Sequence, residues 1–179
     1  AEIIQIQFSV NRKSAIVFPW KEPYLKVVQA LFLLENVKAN QFAYGFDLPR
    51  LENAGVKWRG TIHDIMWMFK HWHPRLPRNL QSMASMAGFP YPWKHMADDD
   101  PQWYGGCDVI ADQYLLRYLP EKMKQLGVWQ GYVEEILEMW RILKKAADRG
   151  IPVNNKAREG LREIFKGERD KLNLEFQGL

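Results

Sequence analysis

The chain has 179 residues, 47% hydrophobic and 26% charged, a balance that excludes a disordered polymer and suits one domain or one domain plus a fragment. A chain of this size buries enough surface to fold without staples, and the single cysteine, Cys107, excludes an intramolecular disulfide framework. No apolar run reaches the roughly 18 residues of a membrane span, and AEIIQIQFSV lacks the regions of a signal peptide, so the expectation is a soluble, cytoplasmic protein with no membrane partner. The net charge of +4 is uneven: residues 1–90 carry 11 Lys and Arg against 6 Asp and Glu, residues 91–179 carry 14 against 15. A basic front half permits a polyanionic partner without demanding one.

In chain order, Ile4, Ile6, Phe8 and Val10 alternate with polar residues and predict a half-buried strand over 3–10. Asn11 to Lys13 form a turn, and Ala15 to Phe18 a second strand closed by Pro19, making a hairpin. From Tyr24 to Glu35 the spacing becomes helical, with Leu25, Val28, Leu31 and Phe32 on one face. A short strand is expected over 37–42. Asp47, Pro49 and Gly55 then read as cap, first turn and stop of a two-turn helix. Further helices are expected at 64–71, 79–86 and 100–118. Leu126, Gly127 and Trp129 mark a change of character, followed by an amphipathic helix over 130–148 ending at Gly150 and a charged helix from Asn154 to about Lys171. Strands and a helix followed by many helices predict an α/β core over 1–126 with an all-helical extension over 127–179.

The chemistry concentrates in DDDPQWYGGCDVIAD, residues 98–112. Three aspartates before Pro101 suit the first turn of a helix. On that helix Tyr104 and Asp108 stand four apart and share a face: a carboxylate that can bind a divalent cation, beside a phenol that can orient an attacking water. The pair also fits a surface aspartate beside a packed tyrosine. Gly105 and Gly106 between them predict the close approach of another backbone or a substrate. Arg75, Arg78 and Lys94 are candidates for phosphate contact or for plain surface charge. Trp58, Trp67, Trp103 and Trp140 are expected to pack rather than to stack on bases. His63, His71, His73 and His95 match no zinc-ligand spacing.

FDLPRL at 46–51, GTIHDIM at 60–66, LPRNLQSMAS at 76–85 and the Tyr104–Asp108 pair form an ordered series. It resembles the 3′–5′ proofreading exonuclease domain of family A DNA polymerases, the bacterial DNA polymerase I class and its phage relatives. The resemblance extends to ILKKAADRGIPVN at 142–154, which is similar to the entry into the polymerase region, and so covers almost the whole chain. It implies an RNase H-like core leading into the first helices of the polymerase thumb. It also implies hydrolysis of a 3′-terminal phosphodiester of single-stranded DNA with two Mg²⁺ (or Mn²⁺) ions, and the remainder of a parent polymerase as partner. Asp47 falls on the metal-binding aspartate of the second exonuclease motif, and Tyr104 and Asp108 on the third. The family roles would give Asp108 to the water-activating ion, Asp47 to the leaving-group ion, and Tyr104 to orientation of the nucleophile. Asp64 matches an aspartate that supports the site without ligating metal.

Two departures stand out. The family's Asp-x-Glu motif occurs nowhere in the sequence, and Ala43 stands where the second motif has an asparagine that helps hold substrate. The expectation is therefore a core lacking its first strand, cut from a longer polymerase, with weak activity or none. The alternatives are a catalytically dead nucleic-acid-binding or scaffold domain, and a stand-alone exonuclease similar to ribonuclease D, against which the Gly-Ile-Pro-Val-Asn segment speaks.

Overall fold

In the computed structural model, which describes residues 2–178, the chain is an α/β protein dominated by helices, with four short strands in two separate pairs. The hairpin forms as expected: β1 (Gln5–Phe8) pairs antiparallel with β2 (Ile16–Pro19), with Ile6 opposite Phe18 and Phe8 opposite Ile16. It is shorter than the alternation suggests. Ile4 is 75% and Val10 89% exposed, because the tight turn closed by the Ser9 and Asn11 side chains begins before Val10 can reach a buried face.

Helix α1 (Tyr24–Leu33) buries Val28 and Phe32 against Leu51, Val56 and the hairpin residues Ile6, Phe8 and Phe18. Strand β3 (Lys38–Asn40) lies parallel to β4 (Ile62–Asp64), aligning Asn40 with Asp64. The helix expected over 64–71 begins at Ile65, and the three residues before it form β4, which the sequence does not announce. Three residues are too few for a period to show, and only the pairing to β3 makes them a strand. Between them a π-helical turn, Ala43–Asp47, runs into α2 (Leu48–Asn53), which stops at Gly55 with φ +85°. Asp47 is itself helical and its side chain caps nothing, a correction to the expected cap: the preceding π turn already supplies helical backbone, so no non-helical cap position exists there.

Capping is orthodox where a strand or loop feeds a helix. Asp64 accepts from Trp67 N at the start of α3 (Ile65–Trp72), Asn79 from Ser82 N before α4 (Leu80–Met86), and Asp100 from Trp103 N before α5 (Pro101–Gln125). Helix α5 runs seven residues beyond the predicted end at Tyr118, through Pro120. Proline inside a helix costs about 3 kcal/mol, and here Leu119 and Met123 on either side of it are fully buried, which offsets that cost. The main core is built on this helix: Cys107, Ala111, Leu115, Leu119 and Met123 pack with Ile65, Met68, Phe69, Leu80, Met83, Phe89, Trp93 and Tyr132.

The chain divides into two compact units between Trp140 and Arg141. The change of character near residue 126 is a turn inside the first unit, with Gly127 at φ +71°. After it, α6 (Trp129–Gly131) and a π-helical turn, Tyr132–Leu137, sink Tyr132 into the core. Helix α7 (Glu138–Arg149) starts in the first unit, where Trp140 stacks on Tyr44 with centroids 4.4 Å apart. The second unit holds the rest of α7, the stop at Gly150, and α8 (Asn155–Gln177), capped by Asn154 and longer than predicted. Among the described residues no helix is long and apolar enough to cross a membrane.

Leu115→Ala, at the centre of α5's buried face, is expected to lower the unfolding free energy by about 2–5 kcal/mol through lost burial and a residual cavity, measured by urea denaturation.

Candidate functional site

The acidic side chains of interest lie on three elements: Asp47 on the π-helical turn, Asp64 on β4, and Asp108 and Asp112 on α5. Tyr104 and Asp108 share a face of that helix, as their spacing requires: both bond the same ammonium, with Lys94 Nζ 3.0 Å from the Tyr104 hydroxyl and 2.6 Å from Asp108 Oδ1. The same carboxylate oxygen accepts from Trp93 Nε1 at 2.5 Å. Trp93 and Lys94 come from the connection between α4 and α5, where Trp93 is buried with its ring 4.6 Å from that of Phe89.

The hairpin approaches α5 most tightly at Gly105. A Cβ on Gly105 would lie 2.5 Å from Gln7 Nε2, and one on Gly106 would meet the Ala15 methyl at 3.6 Å. In place of the expected backbone or substrate, the groups that lie against these glycines are the Gln7 and Ala15 side chains. Gln5 Nε2 donating to the Pro101 carbonyl (2.9 Å) and Gln113 Nε2 donating to the Ser9 carbonyl (2.8 Å) fasten the hairpin along the helix.

One turn beyond Asp108, Asp112 is 4% exposed and its Oδ1 has no hydrogen-bond partner. Its pKa is raised well above the ordinary value by burial and by the charges of Asp108 and Asp47, while the Gln41 amide and the Lys94 ammonium pull the other way. Asp112 therefore lies within electrostatic reach of both candidate ligands. Burial also pushes Asp47 up to about 6, against the pull of Arg50. Asp64, wholly buried, accepts from the amides of Tyr44 (2.9 Å) and Trp67 (3.2 Å). Burial nevertheless pushes it up to about 6, with a further contribution from Asp47.

Asp47 ends a π-helical turn, Asp64 ends β4, and Asp108 and Asp112 stand one turn apart on α5; Asp112 feels the charges of Asp108 and Asp47, and Asp64 that of Asp47. The sequence reading passed over Asp112, although its place four residues after Asp108 sets it on the same helix face. It also missed Trp93, for which an indole in a loop gives no signal.

The remaining candidates are placed as follows. Lys94, a candidate for phosphate contact, is committed to Asp108 and Tyr104; burial works to lower its pKa, and these two bonds outweigh it and raise it. Arg75 and Arg78 are exposed in the connection between α3 and α4. Trp58, Trp67 and Trp140 pack against the core as expected, but Trp103 is 43% exposed, since the first turn of α5 projects it outward. His63 is buried with Nδ1 3.0 Å from the Tyr132 hydroxyl, and burial pushes its pKa down. Burial and Asp108 raise the Cys107 thiol, which leaves it a core residue rather than a nucleophile.

Oxygen donors suit Mg²⁺ and Mn²⁺, and the unpartnered Asp112 oxygen is a donor in want of a partner. Among the described residues no three His, Cys, Asp or Glu side chains stand in a metal-holding arrangement; Asp108 Oδ1 is taken by Lys94 and Trp93. No protein-family model, curated protein or solved structure matches the chain.

The three raised carboxyls predict a pH effect with a definite sign. A folded-state pKa above the ordinary 3.8 means the folded chain binds more protons than the unfolded one, so stability present below 3.8 is lost as pH rises through the folded value. With chelator present, Asp112→Asn should gain on the parent chain as pH is raised from about 4 toward 8, measured as the difference in urea midpoints.

Proposed function

We propose that the chain is a 3′–5′ exonuclease-type domain of a family A DNA polymerase, built on an RNase H-like core, whose substrate is the 3′ end of single-stranded DNA. The observation that carries this reading is the convergence of Tyr104 and Asp108, from one helix face, on a single cationic group, with the buried Asp112 one turn further along the same helix. Burying several carboxylates together costs stability, and a fold retains such a group most readily when a cation balances it. The strand pairs support the core assignment: antiparallel β1–β2 and, through β3, parallel β3–β4 both rest on α5, as two portions of one mixed sheet would.

In this reading Asp47 and Asp108 would be the carboxylates that hold divalent ions, and Asp64 fixes the approach of the Asp47 turn by accepting from Tyr44 N. When bound, Mg²⁺ or Mn²⁺ supplies Lewis-acid stabilisation of the phosphodiester and the attacking water. Tyr104 orients that water: its hydroxyl oxygen accepts from Lys94, so its own proton remains available to donate. The exposed Arg75 and Arg78 contact the DNA backbone, giving affinity that weakens with salt.

A second reading, an inert nucleic-acid-binding domain, is favoured by the Lys94–Asp108 pair, by Ala43 and by the lack of Asp-x-Glu. A single assay separates the two. The 179-residue chain is incubated with 3′-labelled single-stranded DNA and Mn²⁺, beside its Asp108→Ala variant. Slow trimming that the variant loses supports the exonuclease. Salt-sensitive binding with equal, background-level trimming in both supports the inert domain. Binding that does not change between about 50 and 200 mM salt removes the nucleic-acid partner from either reading.

A further inference from the structure

The hairpin turn and the middle of α5 flank an open cleft of about 470 Å³, lined by Val10, Asn11 and Arg12 from the turn and by Gln113, Leu116 and Arg117 from the helix. That volume lies in the range of small-ligand sites, roughly 300–1,000 Å³. Its charge is of one sign. Two guanidiniums line it and no carboxylate does. Among the described residues neither Arg12 nor Arg117 has an ion-pair partner. Asp112, next to Gln113 in the chain, is buried. Arg117 follows Asp108 by nine residues of α5, about two and a half turns, and so leaves the opposite side of the helix.

Both walls of the cleft are held in place. Gln113 Nε2 donates to the Ser9 carbonyl at 2.8 Å, and the Ser9 hydroxyl and the Asn11 carboxamide close the turn. The Arg12 guanidinium carbon lies 5.0 Å from the centroid of the Tyr114 ring, which meets Phe89 edge-on at 5.5 Å. An arginine seated on an anchored ring keeps its planar N–H fork for a ligand and loses less freedom on binding.

We propose that this cleft binds the phosphate of a nucleotide, with Arg12 and Arg117 on the anion and Val10 and Leu116 against the sugar or base. Guanidinium forks match phosphate oxygens bidentately, and a neutral or cationic ligand would leave two like charges unbalanced. Val10 is 89% exposed and Leu116 half-buried, so the anion site adjoins apolar surface, which suits a phosphate with an organic substituent. A free nucleotide and a phosphodiester within a strand present this same chemistry. The inference uses none of the carboxylates and stands apart from the exonuclease reading.

The test is titration calorimetry at about 50 mM salt with thymidine 5′-monophosphate, thymidine and oligothymidylate. The proteins are the full chain, Arg12→Gln, Arg117→Gln, Arg12→Lys, Asp108→Ala, and Arg158→Gln on α8. The parent should bind the monophosphate and not thymidine. Each glutamine variant should bind it about tenfold more weakly, and Arg12→Lys, which keeps the charge but not the fork, should lose less. Arg158→Gln and Asp108→Ala should bind as the parent does. Oligothymidylate binding weakened by the same factor in Arg12→Gln makes a strand the ligand; strand binding indifferent to a substitution that weakens the monophosphate makes it a free nucleotide. In the parent chain either ligand should slow phenylglyoxal modification of Arg12 and Arg117, but not of Arg158, as read by mass spectrometry. If neither ligand binds, or neither is weakened by the two glutamine variants, the inference falls. Thymidine held as tightly as its monophosphate overturns it, and so does loss of monophosphate binding in Asp108→Ala. Should the glutamine variants fail to fold, unprotected Arg12 and Arg117 in the parent overturn it alone; the trimming assay of Asp108→Ala tests the exonuclease reading separately.

Discussion

Carboxylates held away from water are the constraint around which the first unit is organised. Asp112 feels the charges of Asp108 and Asp47, and Asp64 that of Asp47, and an isolated buried carboxylate is among the least favourable groups a fold can hold. Each is accommodated differently. Asp64 accepts backbone amides from Tyr44 and Trp67, so its burial also fixes the start of α3 and the π-helical turn. Asp108 is balanced by Lys94 and bonded by Trp93. Asp112 has one oxygen bonded to nothing and is driven toward its protonated form. Asp47, at a turn's end and half-buried, is pushed up by burial against the pull of Arg50.

The positions of these groups follow from the surfaces of α5. One face, from Cys107 through Met123, is the floor of the main core. Near its start, Gly105 lets the Gln7 side chain of the hairpin lie against the helix, and a side chain there would drive Gln7 away. Because Tyr104 and Asp108 flank the glycines, the close packing that fastens the hairpin also fixes where phenol and carboxylate stand. The connection before α5 closes the arrangement: Phe89 and Trp93 are buried, and their anchorage aims the indole N–H at Asp108 and leaves Lys94 beside it. A functional constellation held by a packed core in this way keeps its geometry far better than one carried on free loops.

Much of this was legible in the chain itself wherever chemistry acts within a few residues. The alternation of β1, the apolar face of α1, the helix starts at 64, 79 and 100, the pairing of Tyr104 with Asp108 on one face, and the need for a neighbour at Gly105–Gly106 are all local consequences of strand and helix periods, polar residues at helix starts and the missing Cβ. What only the tertiary structure decided was set by partners distant in sequence. Strand β4 exists because β3 pairs with it, and α5 passes Pro120 because Leu119 and Met123 are buried. Asp47 is no cap because a π-helical turn precedes it. Asp112 differs from any helical aspartate only by the depth at which α5 lies, and Lys94 from any surface lysine only by the anchored tryptophan before it. Residue types and spacings prescribe local geometry and candidate chemistry; burial, and the choice of counter-charge for each carboxylate, arise only when elements far apart in the chain pack together.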